Sequence, residues 1–350
     1  MTRSAFIHIG THKTGSSYLQ RWLFSNRKGL APLGLHYAAS GIVRTDLSHK
    51  WLHRTVFEQG GTPFEPSRPW RTLAHELDRR TGDVILSCEL MSGLTNAKKI
   101  QRIADFFTQR GLEPVFVIFF RDVAAYFNSR YAQDTKNLRV TEGFRPYVER
   151  RYEDRAYNYV EVLSPFAAAA RVLALPYAPG VTPLEVQFLQ GLGRPAQAID
   201  AQAWTPVGRV NESLSAEALN LARRIAAQLP EAETRHGLPR RREMFKSACR
   251  SKLTAGTPFI GCDAAYAEAL RARFSDITDA IAETYFDRPW ADAVPPDPRF
   301  EAYDAQAQAR EAPQDVQDSI MQEVLHPPVT AGLRELWASV RRRVRYTMAS

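Results

Sequence analysis

Val115-Phe116-Val117-Ile118-Phe119-Phe120 is an unbroken run of β-branched and aromatic residues, with no polar side chain on either side of the pleat. A strand built this way has to be covered on both faces, and sheets covered on both faces are parallel, with helices crossing over them. The surrounding chain repeats the pattern. Residues 5–9, 34–38, 83–88 and 171–175 read as further strands, and 15–27, 96–110, 123–133 and 182–191 as helices between them. Beyond about residue 200 strands disappear, and 215–229 and 263–286 read as amphipathic helices. The expected fold is therefore α/β: an open parallel sheet flanked by helices, with a helical C-terminal part. The expected division is a core at 1–200, a helical extension at 201–294, and a Pro-rich, polar and basic segment at 295–350.

The first strand runs straight into Gly10-Thr11-His12-Lys13-Thr14-Gly15-Ser16-Ser17 and then into a helix. Glycines at these places allow tight turning, and a strand-to-helix loop aims backbone N–H groups and the positive end of the helix dipole at one point. This is how a chain cradles a phosphate-like anion. It is not the nucleoside-triphosphate loop G-x-x-x-x-G-K-[ST], because Ser16 stands where that loop has lysine, and Lys13 precedes Gly15.

Composition narrows the setting. With 350 residues the chain can bury a sizeable core, and a hydrophobic content of 44% with 24% charged residues belongs to an ordinary globular protein. A formal charge of +8 favours anionic partners, but zinc-finger and RNP-type motifs are missing, so nucleic acid is not expected. Cys88, Cys249 and Cys262 are widely spaced, which points away from disulfide scaffolds and metal sites and towards a reducing cytoplasm. A membrane span is not expected. Residues 331–346 read as a last helix with Leu333, Leu336, Trp337, Val340 and Val344 on one face and Arg341, Arg342, Arg343 and Arg345 elsewhere. Such a helix either packs on its own domain or a partner, or makes peripheral contact with an anionic membrane. A basic cluster, Arg235, Arg240, Arg241, Arg242, Lys246, Arg250 and Lys252, contains the single acid Glu243. It reads either as a solvated face or as a guide for an anionic ligand.

The segment His12-Lys13-Thr14-Gly15-Ser16-Ser17 resembles the 5′-phosphosulfate loop of sulfotransferases that use 3′-phosphoadenosine 5′-phosphosulfate (PAPS), in particular their bacterial branch. Arg121, directly after the apolar run, and Ser129, eight residues on, resemble the pair that holds the 3′-phosphate in that family. Arg offers phosphate a planar, permanently charged fork, and open α/β sheets bind ligands at the carboxyl ends of their strands. Tyr131-Ala132-Gln133-Asp134-Thr135-Lys136 and Arg209-Val210-Asn211-Glu212-Ser213-Leu214-Ser215 resemble two further bacterial segments, the second reading equally as a helix cap. Asp122 departs from the eukaryotic version, which has proline shortly after the Arg. The resemblance covers about residues 4–230 in scattered motifs.

The resemblance implies a P-loop-like fold, PAPS as donor and PAP as product, no metal, and transfer of a sulfuryl group to a hydroxyl or amine of a carbohydrate or small-molecule acceptor. Lys13 would stabilise charge on the bridging oxygen, and Thr14, Gly15, Ser16 and Ser17, with His12 beside them, would bind the 5′-phosphate. The base that takes the acceptor's proton is expected to be Glu89, at the end of the third strand, or His49. An unperturbed imidazole is already suited to the task, whereas a carboxylate near 4.3 would have to be raised. Glu89 reads alternatively as a helix cap or as a partner of Lys98 or Lys99. Trp51 and Trp70 are candidate carbohydrate platforms. Two other classes stay open: a nucleotide-binding or regulatory protein without catalysis, and a kinase or NTPase, which the position of Lys13 opposes.

Overall fold

Five strands form one sheet: β1 (Arg3–His8), β2 (Leu35–Tyr37), β3 (Asp83–Ser87), β4 (Leu112–Phe120) and β5 (Arg171–Pro176). Their order is β2-β3-β1-β4-β5, and every neighbouring pair is parallel. The computed structural model describes residues 3–58, 63–178, 180–208, 213–229, 238–253 and 256–326. The principal helices are α1 (Ser16–Ser25), α2 (Lys50–Glu58), α3 (Arg68–Asp78), α4 (Ala97–Thr108), α5 (Val123–Lys136), α6 (Phe144–Arg151), α7 (Tyr159–Ala167), α8 (Leu184–Gly191), α9 (Ala216–Gln228), α10 (Leu238–Lys252), α11 (Ala264–Arg273), α12 (Ser275–Tyr285) and α13 (Gln314–Leu325).

The described chain divides into two units, each assembled from separated stretches. Unit 1 takes 1–127, 151–212 and 265–298, and unit 2 takes 128–150, 213–264 and 299–350. The contiguous division at 200 and 294 is not the one the packing follows. Unit 1 holds the sheet. Phe6, Val115, Val117 and Phe119 turn to one face and are covered by Leu19, Trp22 and Leu23 of α1 and Phe188 and Leu189 of α8. Phe116 and Phe120 turn to the other, where Phe116 meets Phe166 of α7 edge-on with ring centroids 5.0 Å apart. This alternation is why β4 has no polar position to spare: each fully buried Phe contributes about 1.5–3 kcal/mol, and both faces collect it.

Unit 2 is helical in its described residues. Leu138, Leu221 and Ile225 of α9, Phe245 and Cys249 of α10, and Ile320 and Val324 of α13 share one buried cluster. Arg241, buried within α10, donates to the carbonyls of Val324 and, at 2.9 Å, Leu325, where α13 runs out of its own partners.

All five expected strands are present. The stretch 263–286 is two helices, α11 and α12, parted at Phe274, which adopts a non-helical conformation ahead of α12. The polar stretch 306–317 holds part of a short helix, Ala305–Gln308, and the start of α13. Trp70 is a core residue of α3, packed on Phe64 and Phe106. Residues 209–212, Arg235 and the proposed helix at 331–346 lie outside the described residues. No helix among the described residues is long and apolar enough to cross a membrane.

Candidate functional site

The strand order places β1 between β3 and β4. The loops leaving the carboxyl ends of these three neighbours carry Gly10–Gly15, Glu89 and Arg121, so the crossover topology itself collects the residues singled out in the sequence.

The loop after β1 is bent by three left-handed residues, Gly10 (φ +65°), Lys13 (φ +70°) and Gly15 (φ +74°). Lys13 adopts this conformation at a cost of about 1–2 kcal/mol, because its Cβ crowds the following carbonyl. Internal hydrogen bonds hold it there. Thr11 donates through Oγ1 to the Phe119 carbonyl at 2.8 Å, anchoring the loop on β4. Thr14, fully buried, donates through Oγ1 to the Thr11 carbonyl at 2.7 Å. Its hydroxyl proton is thus used inside the loop, which leaves the backbone N–H as its means of holding a ligand. His12 and Ser17 are half-buried on the same loop.

The end of this loop is an unfinished helix start. Gly15 stands at the N-cap of α1, and no side chain caps the first N–H groups. Ser16, 7% exposed, buries a hydroxyl that makes no hydrogen bond within the protein. Uncapped N–H groups and a lone buried donor at a helix N-terminus are costly in isolation and suited to an anion. The space is defined on both sides. A methyl on Gly10 would stand 2.9 Å from Glu89 Cβ and 3.2 Å from Ser16 Oγ, and one on Gly15 would stand 2.5 Å from Leu184 Cδ2 and 3.2 Å from the Tyr177 ring. Glycine is needed at both positions for room as well as for φ.

Arg121 leaves β4 with Nη1 donating to the Lys13 carbonyl at 2.9 Å, its guanidinium 5.3 Å from the Tyr177 ring centroid and Nη2 3.7 Å from an Asp297 oxygen. Asp122 explains how the chain turns here without proline. Its carboxylate accepts from the Ala125 N–H at 3.0 Å, capping α5, and is held by Arg271 at 2.8 Å. Ser129 is half-buried on α5, where the chain has passed into unit 2.

Glu89 follows β3 and sits in a network that the sequence did not signal. Gln20 of α1 donates through Nε2 to Glu89 Oε2 at 2.8 Å and to Ser87 Oγ at 3.1 Å, and Ser87 Oγ is 2.8 Å from His8 Nδ1. Lys50 Nζ lies 3.4 Å from Glu89 Oε1 and also pairs with Asp46. Of the expected alternative partners, Lys99 is occupied differently, donating to the Val56 carbonyl at 2.7 Å. Burial raises the Glu89 carboxyl, but the Gln20 hydrogen bond and the Lys50 charge outweigh it, and the net shift is downward. The raised carboxyl wanted of a strong base is not what the protein alone provides.

His49 is fully buried. Its Nε2 donates to the Ala38 carbonyl at 3.0 Å, and its Nδ1 accepts from the Ser87 N–H at 3.0 Å. Burial lowers its pKa to about 4, with the backbone hydrogen bonds to Ala38 and Ser87 opposing. It is a neutral brace between the ends of β2 and β3. His8 is likewise buried and lowered to about 4. His36, on β2, pairs with Glu76 at 2.6 Å.

No family model and no curated protein matches the chain. Among solved structures, a sulfotransferase from Alicyclobacillus acidocaldarius superposes with a TM-score of 0.37 and 15% sequence identity, covering 67% of this chain and 100% of that one. A likeness so distant carries no functional weight. The residues of the site have to carry it.

Proposed function

We propose that the chain is a PAPS-dependent sulfotransferase whose donor loop is Gly10–Ser17. The observation that carries this reading is the uncapped N-terminus of α1, with the buried, unbonded Ser16 hydroxyl facing the Gly10 cradle and Glu89 on its far side. Backbone N–H groups of Thr14 to Ser17 and the Ser16 hydroxyl bind the 5′-phosphate, and Lys13 supplies the compact cation beside them. Bound there, PAPS would supply an activated sulfuryl group: the acceptor hydroxyl or amine would bond to sulfur in line with the breaking bond from sulfur to the 5′-phosphate oxygen, and PAP would leave. Arg121 holds the 3′-phosphate, exchanging its contact with Asp297 for the ligand, and Ser129 is assigned to the same phosphate on the sequence resemblance alone.

Glu89 takes the acceptor proton and His49 does not, because both His49 ring nitrogens are bound to the backbone and Glu89 alone borders the loop. Gln20 and Lys50 orient the carboxylate. Its low pKa keeps it ionised, and the arriving negative charge of the donor acts to raise it. The acceptor is a carbohydrate or small molecule.

Calorimetry with PAP and with ATP, on the wild type and on Lys13→Ala and Arg121→Ala, tests the reading. Micromolar PAP binding that weakens about tenfold or more in Arg121→Ala, with ATP far weaker, is expected. Absence of PAP binding overturns it. PAP binding without turnover over an acceptor screen would leave a nucleotide-binding protein that is not an enzyme.

A further inference from the structure

The basic cluster noted in the sequence separates in the structure into two kinds of residue. Arg241 is buried and caps α13, and Lys252 pairs with Glu323 at 3.0 Å, so both serve unit 2 itself. Arg242, Lys246 and Arg250 do not share those tasks. Spaced four apart on α10, they form one ridge, with about 6 Å between successive positions.

A second element brings more cations to the same place. α5 ends at Lys136, and the chain turns through Leu138, which is left-handed (φ +55°) and buried in the cluster that contains Phe245 and Cys249 of α10. That turn sets Lys136 and Arg139 on either side of Leu138, against α10. Lys136 feels the charges of Lys246 and Arg250, and Arg242 feels that of Arg139. Burial comes first among the causes, and both side chains are shifted downward. Glu243 is the one acid acting on both, and its carboxylate is bonded to Lys246 at 3.0 Å. The Nε of Arg242 is buried without a hydrogen-bond partner. Like charges brought this close repel one another in the free protein, Glu243 offsets only part of that repulsion, and the packed left-handed Leu138 sets the turn beside α10.

We infer that the ridge Arg242–Lys246–Arg250, with Lys136 and Arg139, is a binding site for a linear acidic glycan bearing sulfate or carboxylate groups. The inference is independent of the donor loop and holds whether or not that loop binds PAP. Three features favour a glycan over other polyanions. Single-stranded nucleic acid is held by exposed aromatic platforms, and the large exposed hydrophobics among the described residues, Phe57, Leu90, Val160 and Val181, all belong to unit 1. For the same reason the described part of unit 2 has nothing apolar to insert into a membrane surface. A nucleic-acid duplex engages about six to ten phosphates, more than these cations supply. A row of charges along one helix instead matches a single chain with an anionic group at each repeat.

The test is fluorescence-anisotropy binding of a labelled, chemically sulfated maltohexaose to the full chain. Neutral maltohexaose and a short DNA duplex serve as comparators. Micromolar binding is expected for the sulfated sugar only. It should weaken about tenfold or more in Lys246→Gln/Arg250→Gln, with a shallower salt dependence, and stay within about twofold in Lys252→Gln. Circular dichroism establishes that each variant is folded, and Arg242→Gln replaces the double variant if that one is not. No binding of the sulfated sugar, unchanged binding by the folded ridge variants, or tighter binding of the duplex each overturns the inference.

Discussion

Arg121 donates from Nη1 to the carbonyl oxygen of Lys13 across 2.9 Å, so the side chain at the end of β4 fixes the one left-handed non-glycine residue of the loop after β1. On the proposed function, removing the guanidinium has two effects, losing a phosphate ligand and releasing the loop. PAP affinity is expected to fall about tenfold or more in Arg121→Ala. Arg121→Lys should not restore it, since an ammonium cannot reproduce the planar fork. Recovery in the lysine variant, measured by calorimetry, would reduce Arg121 to a general positive charge.

Gly10 separates Ser16 from Glu89. In Gly10→Ala the new methyl meets Glu89 Cβ at 2.9 Å and Cα at 3.1 Å, and the backbone must hold φ +65°. Stability should drop by about 1–3 kcal/mol, and PAP binding should fall with it. Unaltered thermal unfolding together with unaltered PAP affinity would show that the cradle is not where the anion sits.

Lys50 and Gln20 hold the Glu89 carboxyl below its ordinary value. Once an acceptor is known, the acid limb of kcat/KM should lie on the acid side of the ordinary carboxylate range in the wild type and move to higher pH in Lys50→Met. Glu89→Gln should bind PAP and turn over at least about a hundredfold more slowly. An acid limb that stays put in Lys50→Met would remove Glu89 from the reaction.

His8 and His49 are neutral braces with pKa values of about 4, against 6.5 when unfolded. Between these values the unfolded chain binds protons that the folded chain refuses, so stability rises with pH through the window and falls on acidification. Each contributes about 2 kcal/mol of loss on going from pH 7 to pH 5. Urea unfolding of His49→Leu, less stable at pH 7, should show a visibly flatter dependence. An unchanged slope would mean that His49 is protonated in the native state.

The sheet was legible because its signals are local: the run 115–120 has no polar residue, and glycines flank the loop after β1. α7 was missed because Pro165 lies inside it, and a proline reads as a break even where neighbouring residues keep the helix together. α10 was missed because arginines dilute its apolar stripe. Its buried positions Leu238, Phe245, Ala248 and Cys249 are spaced correctly but outnumbered. At the site, the sequence named residue types without their partners. Glu89, the first candidate base, and His49, the second, carry no sign in the sequence that the register of β3 sets the Ser87 N–H against one ring nitrogen of His49 or that Gln20 reaches Glu89. The two units were not legible at all, since membership depends on clusters such as the one that holds both Leu138 and Val324, far apart in the chain.

That interleaving sets a schedule for the protein as it leaves the ribosome. The sheet is complete in sequence at Pro176, yet Asp122 waits for Arg271, 149 residues beyond Asp122 itself, and the carboxylate beside Arg121 comes later still, at Asp297. A nascent chain carrying all five strands therefore still lacks the contacts that finish the end of β4, and the Arg121 side chain that grips the Lys13 carbonyl meets its own carboxylate only when the last stretch of unit 1 has been made.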